Sequence, residues 1–408
     1  MKKIALLIET SRAYGRNLLS GVAQFAQSQH DWLMRLMTPE DLHGRCPFAG
    51  FDGIIARTVN TTALRKISAS GLPTVDMSHE QKIPKFLAVG SHDHAIGIMA
   101  ANFFLGHSFR NFAFCGFKGM KFSDIRRDSF KKIISDAGFQ TNEFSFPEPM
   151  TDAFFYGEKF DDMHVIQLLR KWVQSVPPQT AVFCANDMRA YQLIRAATAE
   201  SIRIPHDLAV LGSDNDNLIC LFSTPPLSSI NPNAEGVGYA AARILHAAMQ
   251  DPSAAQKRRH KPFHAAPGEL IERASTEFYP ISPSWLSDLL VFIGRNIAHP
   301  LSASDVVAHS GRSYPTVEKA FAKAFGETIG QYITRVKMNE ARRLITIGRH
   351  SSKEIASLTG FSSPQYFCNA YRRFFGYPPF AGRPISLSAE TMKLKKASDG
   401  TLLESSPS

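Results

Sequence analysis

The sequence predicts an α/β region built on parallel sheet, with helices on both faces, followed by an all-α region that carries two helix-turn-helix motifs. Three observations make that prediction. Short apolar runs alternate with longer helical patterns through roughly the first two-thirds of the chain; the periodicity turns purely helical from Ser284; and a short helix, a glycine and a capped second helix occur twice, with Gly311 and Gly360 49 residues apart. A length of 408 residues exceeds one compact core, and at about 150 residues per domain it predicts two or three. A composition of 44% hydrophobic and 20% charged residues is that of a well-cored globular protein, which excludes a largely disordered chain.

The first strand is KKIALLIE, ahead of a helix over Arg16–Gln27. Its apolar run, Ile4–Ile8, is too short for a membrane span, and Glu9 and Arg12 follow too directly for a signal peptide. A cytoplasmic protein with no membrane contact is therefore expected. FDGIIAR then precedes a helix over Thr62–Ala69, FRNFAFCGF one over Arg126–Ala137, and TAVFCAND one over Met188–Glu200, while LAVLGSDN runs into a proline-containing loop. GELIERAST reads as the last strand.

Open α/β sheets bind ligands at the carboxyl ends of their strands. Strand ends or nearby helix starts here carry Asp93, Arg126, Asn186, Asp187 and Asp214. A carboxylate accepts from adjacent hydroxyls, an amide donates and accepts, and a guanidinium offers a fixed fork of donors, so the set can replace the hydration shell of a polyhydroxyl ligand. Taken singly, Asp187 and Asp214 read more simply as helix caps or turn residues.

Other chemistry finds little seat. GxGxxG, GxxxxGK[ST], HExxH and GxSxG are all absent, and no catalytic residue or cofactor is expected. His79, His92 and His94 approach a metal-ligand cluster without completing one, so no metal is expected. Five dispersed cysteines without a CxxC pair fit neither a disulfide framework nor a zinc site, and are expected to be buried apolar residues.

Gln256–Pro267, QKRRHKPFHAAP, reads as a basic loop, and Pro280 and Pro283 disfavour helix. The expected division is 1–278, a linker over 279–283, an all-α domain over 284–386 and a flexible tail over 387–408. The charge divides unevenly. Between Pro283 and Ser386 there are 13 Lys/Arg against 6 Asp/Glu, a net +7 of the chain's +10. A basic excess in one short domain suits a polyanion.

Within that domain Leu286, Leu289, Leu290, Ile293 and Ile297 form the stripe of a first helix that Pro300 ends. Ser302 or Ser304 caps a short helix containing Val306, Val307 and Ala308; Gly311 turns; Ser313 caps a second helix with Pro315 in its first turn. After a long helix over Ile329–Ile347, Ser351 or Ser352 caps a helix burying Ile355, Ala356 and Leu358, Gly360 turns, and Ser362 or Ser363 caps the last helix, whose Phe367, Tyr371 and Phe374 point to the core. The long helix can hold two reading helices about one DNA turn, roughly 34 Å, apart. Lys323, Arg335, Arg342, Arg343, Arg372 and Arg373 are the expected phosphate contacts.

The segment Ile355–Pro379, IASLTGFSSPQYFCNAYRRFFGYPP, with SYPTVEKAFAKAFGETIGQYITRVKMNEARRLI upstream, resembles the AraC family of regulators over about 100 residues. It departs from the family in PFAGR, where Gly382 stands for the usual tyrosine, which puts the packing of a last short helix in question. The resemblance implies base reading by Pro315, Thr316, Glu318 and Lys319 on the first reading helix and by Pro364, Gln365 and Asn369 on the second. Glu318 equally suits a cap. The upstream segments resemble the two-lobed core shared by periplasmic sugar-binding proteins and LacI-type regulators. That implies a parallel-sheet sensor whose interlobe cleft takes a small sugar. LacI-type regulators place their DNA-binding helices ahead of such a core, whereas here the helical domain follows it. The reversed order resembles a group of xylose-responsive bacterial regulators, which implies D-xylose as effector, double-stranded operator DNA as partner and a homodimer. The open alternatives are another pentose, a hexose or a nucleoside, and an α/β enzyme with a DNA-binding appendage.

Overall fold

A computed structural model describes residues 1–29, 31–38, 40–58, 60–78, 86–147, 163–251, 262–281, 283–347 and 350–380. His79, most of the basic run before Phe263, Gly382 and the tail from 387 lie outside them. The chain forms two compact units, Met1–Pro280 and Ile281–Ser408.

Among the described residues the first unit has two six-stranded sheets. In the first lobe β1 (Lys2–Leu7), β2 (Trp32–Leu36), β3 (Gly53–Ala56), β4 (Thr74–Asp76), β5 (Leu87–Ser91) and β11 (Phe263–Ala265) lie in the order β11-β5-β4-β3-β1-β2, all parallel. The second lobe has β6 (Asn111–Lys118), β7 (Thr141–Pro147), β8 (Thr180–Cys184), β9 (Leu208–Ser213), β10 (Ser228–Ile230) and β12 (Leu270–Ile271) in the order β12-β10-β9-β8-β6-β7. Among the described strands only β12, the strand expected from GELIERAST, runs antiparallel to its neighbour. Central strands read as near-continuous apolar runs because both of their faces are buried: every residue of β8, TAVFC, is buried.

Helices α1 (Ala13–Gln29) and α2 (Thr61–Ser70) belong to the first lobe. Helices α3 (Asp93–Gly106), α4 (Lys121–Asp136), α5 (Met163–Val173), α6 (Asp187–Ala199) and α7 (Asn217–Phe222) belong to the second, and α8 (Ala234–Gln250) returns to pack on α1. The chain therefore crosses between lobes after β5, after β10 and after β11. The first lobe's core holds Ile4, Leu6, Leu18, Val22, Val75, Val89 and Leu245; the second is a phenylalanine core around Phe104, Phe114, Phe130 and Phe183.

Several expectations need correction. Helix α4 starts at Lys121, five residues before the expected start, so Arg126 stands in its second turn rather than at its beginning. Phe263–Ala265, expected as loop, pairs with β5, because three apolar-rich residues complete the open edge of that sheet. Cys115, Cys184 and Cys220 are buried, but Cys46 is exposed. Among the described residues no three His, Cys, Asp or Glu side chains group as metal ligands, and no helix is long and apolar enough to cross a membrane.

The second unit is helical: α9 (Trp285–Arg295), α10 (Ala303–Ser310), α11 (Tyr314–Phe325), α12 (Ile329–Ile347), α13 (Ser352–Leu358) and α14 (Pro364–Phe375). Helix α9 ends at Arg295 with Asn296 as its cap, ahead of Pro300. Capping boxes start α10, through Ser302 and Asp305, and α13, through Ser351 and Glu354, while Ser363 caps α14.

Candidate functional site

The first constellation lies where the carboxyl ends of both sheets meet. Arg126 is its centre. Its Nε donates to Asp93 Oδ1 at 2.8 Å, its Nη2 approaches the same oxygen at 2.8 Å, and its Nη1 donates to the Ala185 carbonyl at 2.6 Å and to Ser213 Oγ at 3.3 Å. Arg126 and Asp93 are both buried, so the guanidinium ties the start of α3 to the ends of β8 and β9. Both contacts land on Asp93 Oδ1, and no other side-chain bond to this carboxylate is made among the described residues, so its Oδ2 keeps the capacity to accept. The Phe122 ring lies 5.2 Å from the guanidinium carbon and adds an aromatic face beside it.

Asn186 and Asp187 divide their labour. Asn186 Oδ1 accepts the Arg189 N–H at 2.9 Å as the cap of α6. Asp187, fully buried, accepts from the Asp216 N–H at 2.8 Å, from the Ser229 hydroxyl at 2.6 Å and from the Cys220 thiol at 3.5 Å. Burial pushes its carboxyl up to about 6 in spite of those bonds. Asp187 thereby fixes the loop after β9, which carries Asp214.

No hydrogen bond reaches the Asp214 carboxyl among the described residues. Burial, reinforced by the charge of Asp187, pushes it up to about 8, against the opposing pull of Arg126, Arg12 and Arg57. Two of those cations come from the first lobe and one from the second. The unbonded carboxyl therefore sits at the meeting of the lobes.

Sequence reasoning missed the first lobe's share. Glu9, 1% exposed at the end of the first strand, accepts from Arg57 Nη1 at 2.7 Å, and Arg57 stacks 4.8 Å over the Tyr14 ring. The Tyr14 hydroxyl donates to Ser91 Oγ at 3.0 Å, and Ser91 in turn donates to the Pro232 carbonyl at 3.0 Å, so one chain of bonds joins two of the interlobe crossings. The Ala13 N–H donates to Asp216 Oδ2 at 3.1 Å, linking α1 directly to the second lobe. Glu9 and Arg57 carry the same signal that singled out Asp214, a charged residue at the end of an apolar run.

The second constellation is the exposed face of α11 and α14. On α11, Val317 and Phe321 are buried, while Pro315, Thr316, Lys319 and Lys323 are exposed. Gly311, at φ +61°, makes the turn before it. Ser313 stands at the cap, but its hydroxyl pairs with that of Thr316 at 2.8 Å instead of with backbone. Glu318 Oε2 accepts the Ile329 N–H at 3.4 Å and so serves the start of α12. On α14, Phe367 and Tyr371 are buried against Met338, Ala341 and Ile355. Gln365, Asn369, Arg372 and Arg373 are exposed and Pro364 is half-buried.

Other expectations shift here. Phe374 is 42% exposed and Leu358 43%, because each lies one step off its helix's buried stripe. Arg335 is ion-paired to Glu327 at 2.6 Å, and Arg342 lies 5.0 Å from the centroid of the Phe375 ring. The side chain of Arg343 lies outside the described residues. Tyr366, which sequence reasoning passed over, is 60% exposed beside Gln365.

Two parallel-sheet lobes joined by three crossings, with a separate double helix-turn-helix unit, define a class: a DNA-binding regulator that couples a periplasmic-binding-like sensor to an AraC-type helix-turn-helix domain. Family descriptions agree, a periplasmic binding protein-like domain matching residues 101–276 and a helix-turn-helix domain matching 306–383. The chain is homologous to the xylose operon regulatory protein of Haemophilus influenzae, 25% identical over 92% of this chain and 97% of that one. It is likewise homologous to that of Escherichia coli K12, 24% identical over 94% and 97%. In fold it resembles the solved structure of the xylose-binding transcription activator xylR, with a TM-score of 0.55, 23% identity and coverage of 92% and 96%. The chain also resembles in fold a ribose-bound LacI family regulator from Enterococcus faecium, with a TM-score of 0.52, 19% identity and coverage of 67% of this chain and 98% of that one.

Proposed function

We propose that this chain is a cytoplasmic, homodimeric transcription regulator that takes D-xylose between its lobes and reads operator DNA with α11 and α14. The observation that carries the sensing half is the unbonded carboxyl of Asp214 among Arg126, Arg12 and Arg57. Ligand hydroxyls donating to it would replace hydration that the cleft withholds. Asp93 accepts beside it; Arg126, Asn186 and Asp187 hold the walls in place. The homology to xylose operon regulatory proteins over 92% of the chain favours xylose among sugars. Calorimetric titration with D-xylose, L-arabinose, ribose and glucose tests the choice, and D-xylose is expected to bind most tightly. Heat from another sugar alone would reassign the effector, and product formation from any of them would reopen the enzyme reading.

For the DNA half, Gln365 and Asn369 can pair with adenine edges and Lys319 can donate to guanine, while Lys323, Arg342, Arg372 and Arg373 neutralise phosphate. Gln365→Ala is expected to weaken a selected operator by about 1–3 kcal/mol and to relax preference at one position. Arg372→Ala is expected to weaken all duplexes alike and to lower the salt slope by about one. Equal loss from both variants on random DNA would contradict this division. Sugar binding is proposed to close the lobes and shift the dimer interface, which changes operator affinity. A sugar that binds without altering operator affinity would refute that coupling.

A further inference from the structure

We propose that Lys337 is a positioning residue for DNA reading: it bolts the turn of the second helix-turn-helix motif to the segment leading into the first, so that α11 and α14 act as one reader of fixed spacing. This rests on the DNA-reading proposal above.

Lys337 projects from the middle of α12, the helix between the two motifs, and is 7% exposed. Its Nζ donates to the His299 carbonyl at 3.1 Å and to the Gly360 carbonyl at 3.0 Å. His299 lies between α9 and α10, on the side of the first motif; Gly360 makes the turn between α13 and α14. The ammonium also lies 5.5 Å from the centroid of the Phe361 ring. Among the described residues no carboxylate pairs with it, and burial alone pulls its pKa below the usual lysine range. A cation is thus held in a poorly solvated place by two carbonyls and a ring.

The joint is also sterically closed. Gly360 sits at φ +63°, and a Cβ there would come within 2.3 Å of the His299 carbonyl oxygen and 2.7 Å of that of Ile297. Backbone meets backbone, with the lysine across the seam. A connecting helix of 19 residues, about 28 Å long, would alone let two motifs twist relative to each other. A joint with two bonds and no room removes that freedom. The consequence is specificity for spacing: one inserted base pair turns the second box by about 35° about the duplex axis, which a rigid reader cannot follow.

The test uses the full chain and a duplex that it selects from a random pool, with one or two base pairs then inserted between the boxes. The wild type is expected to lose at least about 30-fold per insertion. Lys337→Met keeps the stem but not the donor, and is expected to lose less than about 5-fold per insertion while binding the parent duplex more weakly. Lys337→Arg, which retains donors, is expected to restore the wild-type penalty. A merely structural role would weaken all duplexes equally and leave the insertion penalty unchanged; that result, with a native circular-dichroism spectrum, overturns the proposal. Should Lys337→Met not fold, Gly360→Ala opens the same seam and must also lower the penalty. A wild-type chain that selects no duplex would defeat the DNA-reading proposal itself, a different result from an unchanged penalty.

Discussion

Asp214→Asn is expected to abolish effector binding and, in the unliganded protein, to raise stability by an amount that grows with pH. Burial and the neighbouring Asp187 push the folded carboxyl up to about 8, whereas in an unfolded chain an aspartate sits near about 3.9. Between those values the folded protein keeps a proton that the unfolded chain has released. The group's stabilising contribution is therefore complete below about pH 4 and is lost as the pH rises through about 8, at up to about 1.4 kcal/mol per pH unit. Asparagine keeps the shape without the titration. Thermal unfolding of both proteins, followed from about pH 5 to about pH 9, should show the variant ahead by a few kcal/mol at the alkaline end. D-xylose should raise the midpoint of the wild type only. Parallel pH curves would mean that Asp214 is not held protonated by its surroundings.

Arg126→Leu is expected to remove about 3–5 kcal/mol of folding stability, because Asp93 remains buried without its cation and the Ala185 carbonyl loses its donor. The double variant Asp93→Leu, Arg126→Leu should recover most of that loss, since two apolar side chains bring no uncompensated charge into the interior. It should not recover effector binding. Denaturant unfolding of the three proteins provides the check, and a single variant as stable as the wild type would show that the guanidinium does not brace the second lobe.

The legible parts of this molecule were those written in local pattern. Strand β8 is an apolar run after its first residue, Thr180, the two capping boxes are serine followed three residues later by an acid, and Gly311 and Gly360 stand at left-handed turns that few other residues adopt. The less legible parts depend on partners far along the chain. Arg126, read as a ligand fork, spends its donors on Asp93, Ala185 and Ser213, which lie 33, 59 and 87 residues away. Asp187, read as a ligand group, is consumed by Asp216, Ser229 and Cys220. Glu318 carries a side chain suited to base reading, and only the approach of Ile329 shows it serving as a cap.

By itself the sequence determined the α/β region, the helical domain, the doubled motif and the residue types at the sheet ends, because period, caps and turns are set within a few residues. Tertiary structure alone decided which of those polar groups find hydrogen-bond partners within the chain. Carboxylates of identical chemistry, Asp187 and Asp214, differ because one meets three donors and the other meets none among the described residues, and only the folded chain brings those donors within hydrogen-bonding distance.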